Sequence, residues 1–261
     1  MSQTASPTLA SVAAIEDAAE LLRRAKRVVI LTGAGISSPS GIPDFRSEGS
    51  GLWSRDEPME VASLTAFRTS PERFFNWFRP LAGQIFNAKP NAAHKALVEL
   101  EGAARDLAVV TQNIDGLHQK AGSVRVVEMH GTLRTLSCTE CFRQHESGPF
   151  LETFIKEGNI PRCLSCNGIL KPDVILFGEQ LPQLAWLDAQ RAARQCDLML
   201  VAGSSLEVLP VAGLPMQALD HGAHLIVINQ TPTYLNVRAD VVFMDDVTTI
   251  IPEIAKRVLH G

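Results

Sequence analysis

At 261 residues the chain can bury a full core, as one large domain or as a domain with a smaller satellite. With 46% hydrophobic and 20% charged residues it is neither a disordered nor a fibrous chain. Lys+Arg 24 against Asp+Glu 28 leaves a net charge of −4 without any basic run, which argues against direct binding of nucleic acid.

Residues 1–14 are mostly small or apolar but hold no Lys or Arg, so they do not read as a secretory leader. Residues 15–26 have helical spacing, with Ile15, Ala18, Leu21 and Leu22 on one face. Residues 27–32 then form an apolar β-branched run, Val28-Val29-Ile30-Leu31, of the kind buried on both faces of a parallel sheet. Further strands are predicted at 107–111, 124–129, 197–202, 224–228 and 239–243, with helices at 92–100, 184–195 and 211–221. This alternation predicts an α/β fold, a Rossmann-like doubly wound parallel sheet. The longest apolar region, 198–219, is broken by Glu207, Pro210 and Pro215 and does not read as a membrane span. The expected location is the cytoplasm, where thiols stay reduced.

Two stretches interrupt the alternation. Residues 44–90 are aromatic and mostly helical or irregular, and 131–172 hold four of the five cysteines in short polar pieces. Both read as insertions that together form a smaller lobe, beside a large lobe built from about 15–43, 91–130 and 173–261.

The first motif, Thr32-Gly33-Ala34-Gly35-Ile36-Ser37-Ser38, follows the first strand directly. Glycines there permit a tight turn and close approach to a phosphate, whose charge free N–H groups would hold. Ser38 replaces the third glycine of the dinucleotide fingerprint and no acidic ribose ligand ends a second strand, so a plain strand-to-loop turn is also open. The pairs Cys138/Cys141 and Cys163/Cys166 form two CxxC turns in the zinc-ribbon range. Four thiolates leave no open coordination position, so one zinc ion here is structural rather than catalytic. His145, between the pairs, reads as solvated, and Cys196 as a buried, inert thiol. Gly203, Ser204 and Ser205 end one later strand and Asn229 another; small residues there leave room for a ligand, and Asn229 can bond ribose hydroxyls. A lone histidine such as His130, at another strand end, is more often structural than catalytic.

The unbroken string from Gly33 to Ser47, GAGISSPSGIPDFRS, resembles the opening signature of the sirtuin family, in its bacterial and archaeal form. The string TQNIDGLH from Thr111 to His118 and the string Glu128-Met129-His130-Gly131 are similar to that family's next two motifs, in the same order. The resemblance covers nearly the whole chain and implies an NAD-dependent protein lysine deacylase. NAD would be a consumed co-substrate, and the products nicotinamide, O-acyl-ADP-ribose and free lysine.

It further implies that Gly33, Ala34, Gly35, Ser38, Asp44, Phe45 and Arg46 contact NAD. Asn113 and Asp115 would position the nicotinamide ribose and an ordered water, with Gln112 and Ile114 lining the nicotinamide pocket. His130 becomes the general base, a task suited to imidazole because it titrates near neutrality. His118 is expected to pack or cap a helix. Gly203, Ser204, Ser205 and Asn229 would hold the adenosine half, with Asp246 and Val247 as adenine neighbours. The stretch Lys171 to Glu179 would offer a backbone edge to an acyl-lysine peptide bound as an added strand, with Val174, Phe177 and Gly178 against the acyl-lysine.

Sirtuins that prefer succinyl or malonyl lysine carry a Tyr and, three residues on, an Arg. Phe75 and Phe78 fall on those places here, with Arg79 adjacent, so an apolar wall and acetyl or longer fatty acyl groups are expected. Mono-ADP-ribosyl transfer and long-chain deacylation are the alternatives on the same fold. A zinc-ribbon binding module leaves Asn113, Asp115 and His130 without purpose, and an NAD dehydrogenase lacks its full glycine fingerprint.

Overall fold

The structure is a computed structural model, which describes residues 11–44, 57–103 and 106–261. Helix α1 (Val12–Arg24) opens it, with the Ser11 hydroxyl accepting the Ala14 N–H as N-cap. Strand β1 (Arg27–Thr32) follows and pairs in parallel with β2 (Asp106–Thr111) on one side and β7 (Leu198–Ala202) on the other. Strands β3 (Val126–Glu128), β8 (His224–Ile228) and β9 (Val241–Phe243) complete a six-stranded parallel sheet, in the order β3-β2-β1-β7-β8-β9.

The apolar runs divide strictly between the two faces of this sheet. Val28 and Ile30 join one core with α1, α5 (Ala92–Ala103) and α10 (Val247–His260). Val29 and Leu31 join a second core with α8 (Gln183–Gln195) and α9 (Leu214–Asp220). Ile226 and Ile228 against Leu225 and Val227 do the same in β8. Helices therefore cover both faces, which is the doubly wound arrangement. The region predicted as one helix at 211–221 begins as a 3₁₀ turn, Val211–Gly213, before α9.

The two insertions build the smaller lobe. The described part of the first comprises α2 (Pro58–Val61), α3 (Leu64–Thr69) and α4 (Pro71–Asn87). The second is more ordered than short polar pieces. It holds β4 (Gly131–Cys138), β5 (Gln144–Glu146), helix α7 (Gly148–Glu157) and β6 (Leu170–Val174), the strands forming an antiparallel sheet in the order β5-β4-β6. Phenylalanines join the insertions: Phe75 meets Phe154 of α7 edge-on at 5.3 Å, and Phe78 stacks on Phe154 at 6.4 Å. Among the described residues no helix is long and apolar enough to cross a membrane.

Candidate active site

The chain runs from β1 outward to β2 and β3, then returns to β7 on the other side of β1. The carboxyl ends of β1 and β7 therefore flank the topological switch point, where open α/β sheets bind ligands. The glycine turn lies there. The Gly33 N–H donates to Ala202 O at 3.3 Å and the Gly35 N–H to Gly203 O at 2.8 Å. A Cβ on Gly33 or Gly35 would come within 2.8 Å of the Gly203 backbone, and Gly203 itself sits at φ +61. Glycine at all three places thus lets two backbones touch and leaves a shallow cradle rather than side chains above the sheet. The short 3₁₀ turn Ala34–Ile36 follows, with the Ser38 hydroxyl folded back onto Ala34 O at 3.2 Å. Asp44 follows in the same loop, half-buried. Phe45 and Arg46 lie outside the described residues.

Beside this cradle, β2 ends at Thr111 and the chain turns under the glycine loop. The Asn113 side-chain amide donates to Gly33 O at 3.0 Å and to Ser37 Oγ at 3.1 Å. The Ser37 hydroxyl in turn donates to Asp115 Oδ2 at 2.7 Å, and the Leu117 N–H donates to Asp115 Oδ1 at 2.8 Å. Burial pushes the Asp115 carboxyl above its usual range, opposed by those two donors. Ser37, which stands in the first motif but not among the predicted contact residues, is the joint of this cluster. The Gln112 amide donates to Ser204 Oγ at 2.9 Å, tying the β2 and β7 ends together.

His130 follows the buried Met129 after β3. Its Nδ1 lies 2.9 Å from Gln112 O. A carbonyl only accepts, so Nδ1 carries the hydrogen and Nε2 the lone pair, which is the tautomer a base needs. His118 sits inside α6 (Leu117–Ala121), buried, with Nε2 3.0 Å from Thr32 Oγ1; it packs and does not cap.

A cavity of about 340 Å³ joins these groups to the small lobe. Ala34, Ser37, Gln112, Asn113, Ile114, Asp115 and His130 line one side, and Val174, Phe177 and Gly178 another. Its far wall is apolar, built by Phe74, Trp77, Phe78, Leu81 and Ile85 of α4. Phe75 is not among the residues that line this wall and packs on Phe154, as Phe78 also does while facing the cavity. Phe78 faces the cavity, and the residue three places on, Leu81, faces it too. Arg79 points away, donating to the carbonyls of Ile155 and Lys156 at 2.9–3.0 Å.

Gly203, Ser204, Ser205, Asn229, Asp246 and Val247 gather beyond the cavity lining, at or just after the ends of β7, β8 and β9. The Asn229 amide donates to Thr231 O at 2.8 Å, and Asp246 caps α10 by accepting the Thr248 N–H at 2.7 Å.

The four cysteines converge at the far end of β4. Their sulfurs all lie within 4.8 Å of one another, with Cys138–Cys166 at 3.4 Å and Cys141–Cys163 at 3.7 Å. Tetrahedral zinc–thiolate bonds place sulfurs about 3.8 Å apart, so the set fits one zinc ion. The Cys141 backbone N–H holds the Cys138 thiol below its usual range, and the Ser165 backbone N–H brings Cys163 down to about 5. Cys166 keeps a lowering Gly168 N–H, yet its crowded sulfur neighbours push it up to about 12. His145 is half-buried rather than solvated, with Nε2 3.4 Å from Cys163 Sγ. Burial pushes Cys196 up to about 11, as an inert thiol requires.

The site has counterparts in known proteins. The Sir2 family pattern matches residues 33–210. An NAD-dependent protein deacylase 2 of Archaeoglobus fulgidus is 44% identical over 94% of this chain and 96% of its own length. A Sir2 structure with a deacetylated p53 peptide and 3'-O-acetyl-ADP-ribose superposes with a TM-score of 0.85, at 36% identity over 94% of this chain and 97% of that one. Another, Sir2Af2 bound to a myristoylated histone peptide, gives 0.81 at 38% identity over 95% and 97%. The family pattern thus takes in both strand ends of the switch point, both cysteine pairs and His130, and this chain belongs to the Sir2 family.

Proposed function

We propose that this chain is an NAD-dependent protein lysine deacylase, moving the acyl group of a modified lysine onto ADP-ribose and releasing nicotinamide and free lysine. One observation carries the reading: a single cavity places His130 between the Asn113–Asp115–Ser37 cluster and the Val174–Phe177–Gly178 edge. NAD, the co-substrate, supplies the ADP-ribose that accepts the acyl group. Gly33, Ala34, Gly35 and Ser38 form its cradle, and Asp44, Phe45 and Arg46, next in sequence, contact NAD as well. Gly203, Ser204, Ser205 and Asn229 take the adenosine half, next to Asp246 and Val247. Gln112 and Ile114 line the nicotinamide pocket, while Asn113 and Asp115 orient the ribose and a water. His130, with Nδ1–H fixed on Gln112 O, takes a ribose hydroxyl proton at Nε2.

An extended acyl-lysine peptide adds as a strand along Val174, Phe177 and Gly178; two similar structures hold peptides, one of them acylated. Phe78 and Leu81 present no partner for a carboxylate and Arg79 is turned away, which favours acetyl or longer fatty acyl groups over succinyl or malonyl. Cys138, Cys141, Cys163 and Cys166 would hold a structural zinc ion. The lobes divide near 44–90 and 131–172, although β6 runs past the second boundary to Val174. A cytoplasmic location suits a protein whose metal site needs reduced thiols.

The test is mass spectrometry of an acetyl-lysine peptide incubated with the protein, with and without NAD. Acetyl loss only with NAD, matched by nicotinamide and O-acetyl-ADP-ribose, is expected, and His130→Ala should slow it roughly 10²- to 10⁴-fold. NAD cleaved while acetyl and myristoyl peptides stay intact would overturn the reading.

A further inference from the structure

The segment that lines the peptide side of the cavity is not held by strand pairing alone. Strand β6 ends at Val174, and beyond it the chain is held by separate backbone bonds rather than a continuous ladder. The Ile175 N–H donates to His130 O at 2.9 Å, while the Phe177 N–H donates to Ala62 O and its carbonyl accepts the Leu64 N–H. Between these points a charged pair closes the loop. Lys171 Nζ lies 3.0 Å from Glu179 Oε2 and donates to Val174 O at 2.8 Å and Pro172 O at 3.3 Å. The same Glu179 oxygen accepts the Leu176 N–H at 2.7 Å, and the Glu179 N–H donates to Leu176 O at 3.0 Å. Both side chains are mostly buried, at 17% and 20% exposure. The turn this creates carries Gly178, at φ +87, on the cavity wall.

A pair this sheltered is well ordered, and removing one member strands the other's charge. Here the stranded charge would be Glu179, which itself lines the cavity and fixes Leu176. We propose that Lys171 is a positioning residue for the protein substrate: through Val174 O and Glu179 it sets the shape of the 174–179 edge that receives the acyl-lysine strand. The inference rests on the deacylase reading above. Among the described residues no bond of the clamp reaches the glycine cradle at the β1 and β7 ends, so its effect falls on the peptide more than on NAD.

The experiment compares Lys171→Met, Lys171→Arg and Glu179→Gln with the unaltered protein in steady-state deacetylation, varying peptide and NAD separately. Loss of a charge-assisted hydrogen bond in Lys171→Met should raise the peptide KM roughly tenfold or more, with the NAD KM within about twofold. Lys171→Arg keeps the charge and should recover part of the loss. A purely structural role would lower the active fraction and leave both KM values alone, so unchanged values overturn the proposal, as does a parallel rise of both. Hydrogen exchange is the second readout and needs no activity. In Lys171→Met, or in the milder Glu179→Gln, the Leu176 amide should exchange faster while Gly35 keeps its protection. Unaltered protein that fails to deacetylate any peptide defeats the deacylase reading, and the exchange result then decides the clamp by itself.

Discussion

His94 on α5 and His118 on α6 lie with ring centroids 4.9 Å apart, and both side chains are at most 1% exposed. Among the described residues neither nitrogen of His94, nor Nδ1 of His118, has a hydrogen-bond partner. Burial therefore disfavours the imidazolium and brings His94 down to about 4 and His118 to about 3, the latter helped by its histidine neighbour. Both folded values lie below the unfolded value near 6.5, so on acidification the unfolded chain binds protons first. Stability is then full above about pH 6.5 and is lost as pH falls toward the folded values. From pH 7 to 5.5 each histidine should remove about 1.3 kcal/mol, hence about 2.5 for the pair, and about 3.7 by pH 5. That is a large part of the usual stability of a domain. Urea unfolding at fixed pH values measures it, and His94→Leu and His118→Leu isolate it from other acid-sensitive groups, the cysteine cluster included. Each substitution should remove about half of the loss between pH 7 and 5.5, whatever it costs at neutral pH. If a variant loses as much stability over that interval as the parent, the histidines already carry protons when folded, or are hydrated, and the reasoning fails.

Other expectations follow from single contacts. Phe78→Tyr with Leu81→Arg would put a phenol and a guanidinium on the cavity wall; succinyl-lysine turnover relative to acetyl should rise roughly tenfold or more, read by competition between the two peptides. Gly203→Ala forces a Cβ within 2.4 Å of the Ile36 nitrogen at φ +61, and should weaken NAD binding roughly tenfold or more by calorimetry. Metal analysis should return one zinc per chain, and Cys163→Ser should abolish it. Amides of the β4–β5–β6 sheet should then lose exchange protection while those of β1 and β2 keep theirs, since the metal knits only the small sheet.

Most of the large lobe was legible because its strands are continuous apolar runs. Val28-Val29-Ile30-Leu31 can be buried only with helices on both faces, and that demand gives the doubly wound order its logic. Glycine at 33, 35 and 203 was legible for a related reason, since no other residue lets the β1 and β7 ends touch. The boundaries drifted where pairing, not composition, decides. Strand β3 is only Val126–Glu128 because it pairs with just the last three residues of β2, although its neighbours have strand-like side chains.

The small lobe was harder to read because apolarity there does not choose a direction. Phe74, Phe75, Trp77 and Phe78 form an apolar arc too wide to define one face of α4. Phe75 and Phe78 both meet Phe154, distant in sequence on the other insertion, yet of the two only Phe78, with Leu81, also lines the cavity. The same holds for polar groups. Lys171 and Glu179 become partners only after the chain reverses at Gly178, and His145 meets Cys163 only because β5 pairs with β4 opposite Leu136. The cavity lies where these long-range choices meet the sheet's carboxyl ends. Strand ends and glycines mark its sheet side from local sequence, whereas its apolar wall is made by the docking of two insertions onto each other; on the deacylase reading proposed above, specificity for the acyl group is therefore a tertiary property of this fold.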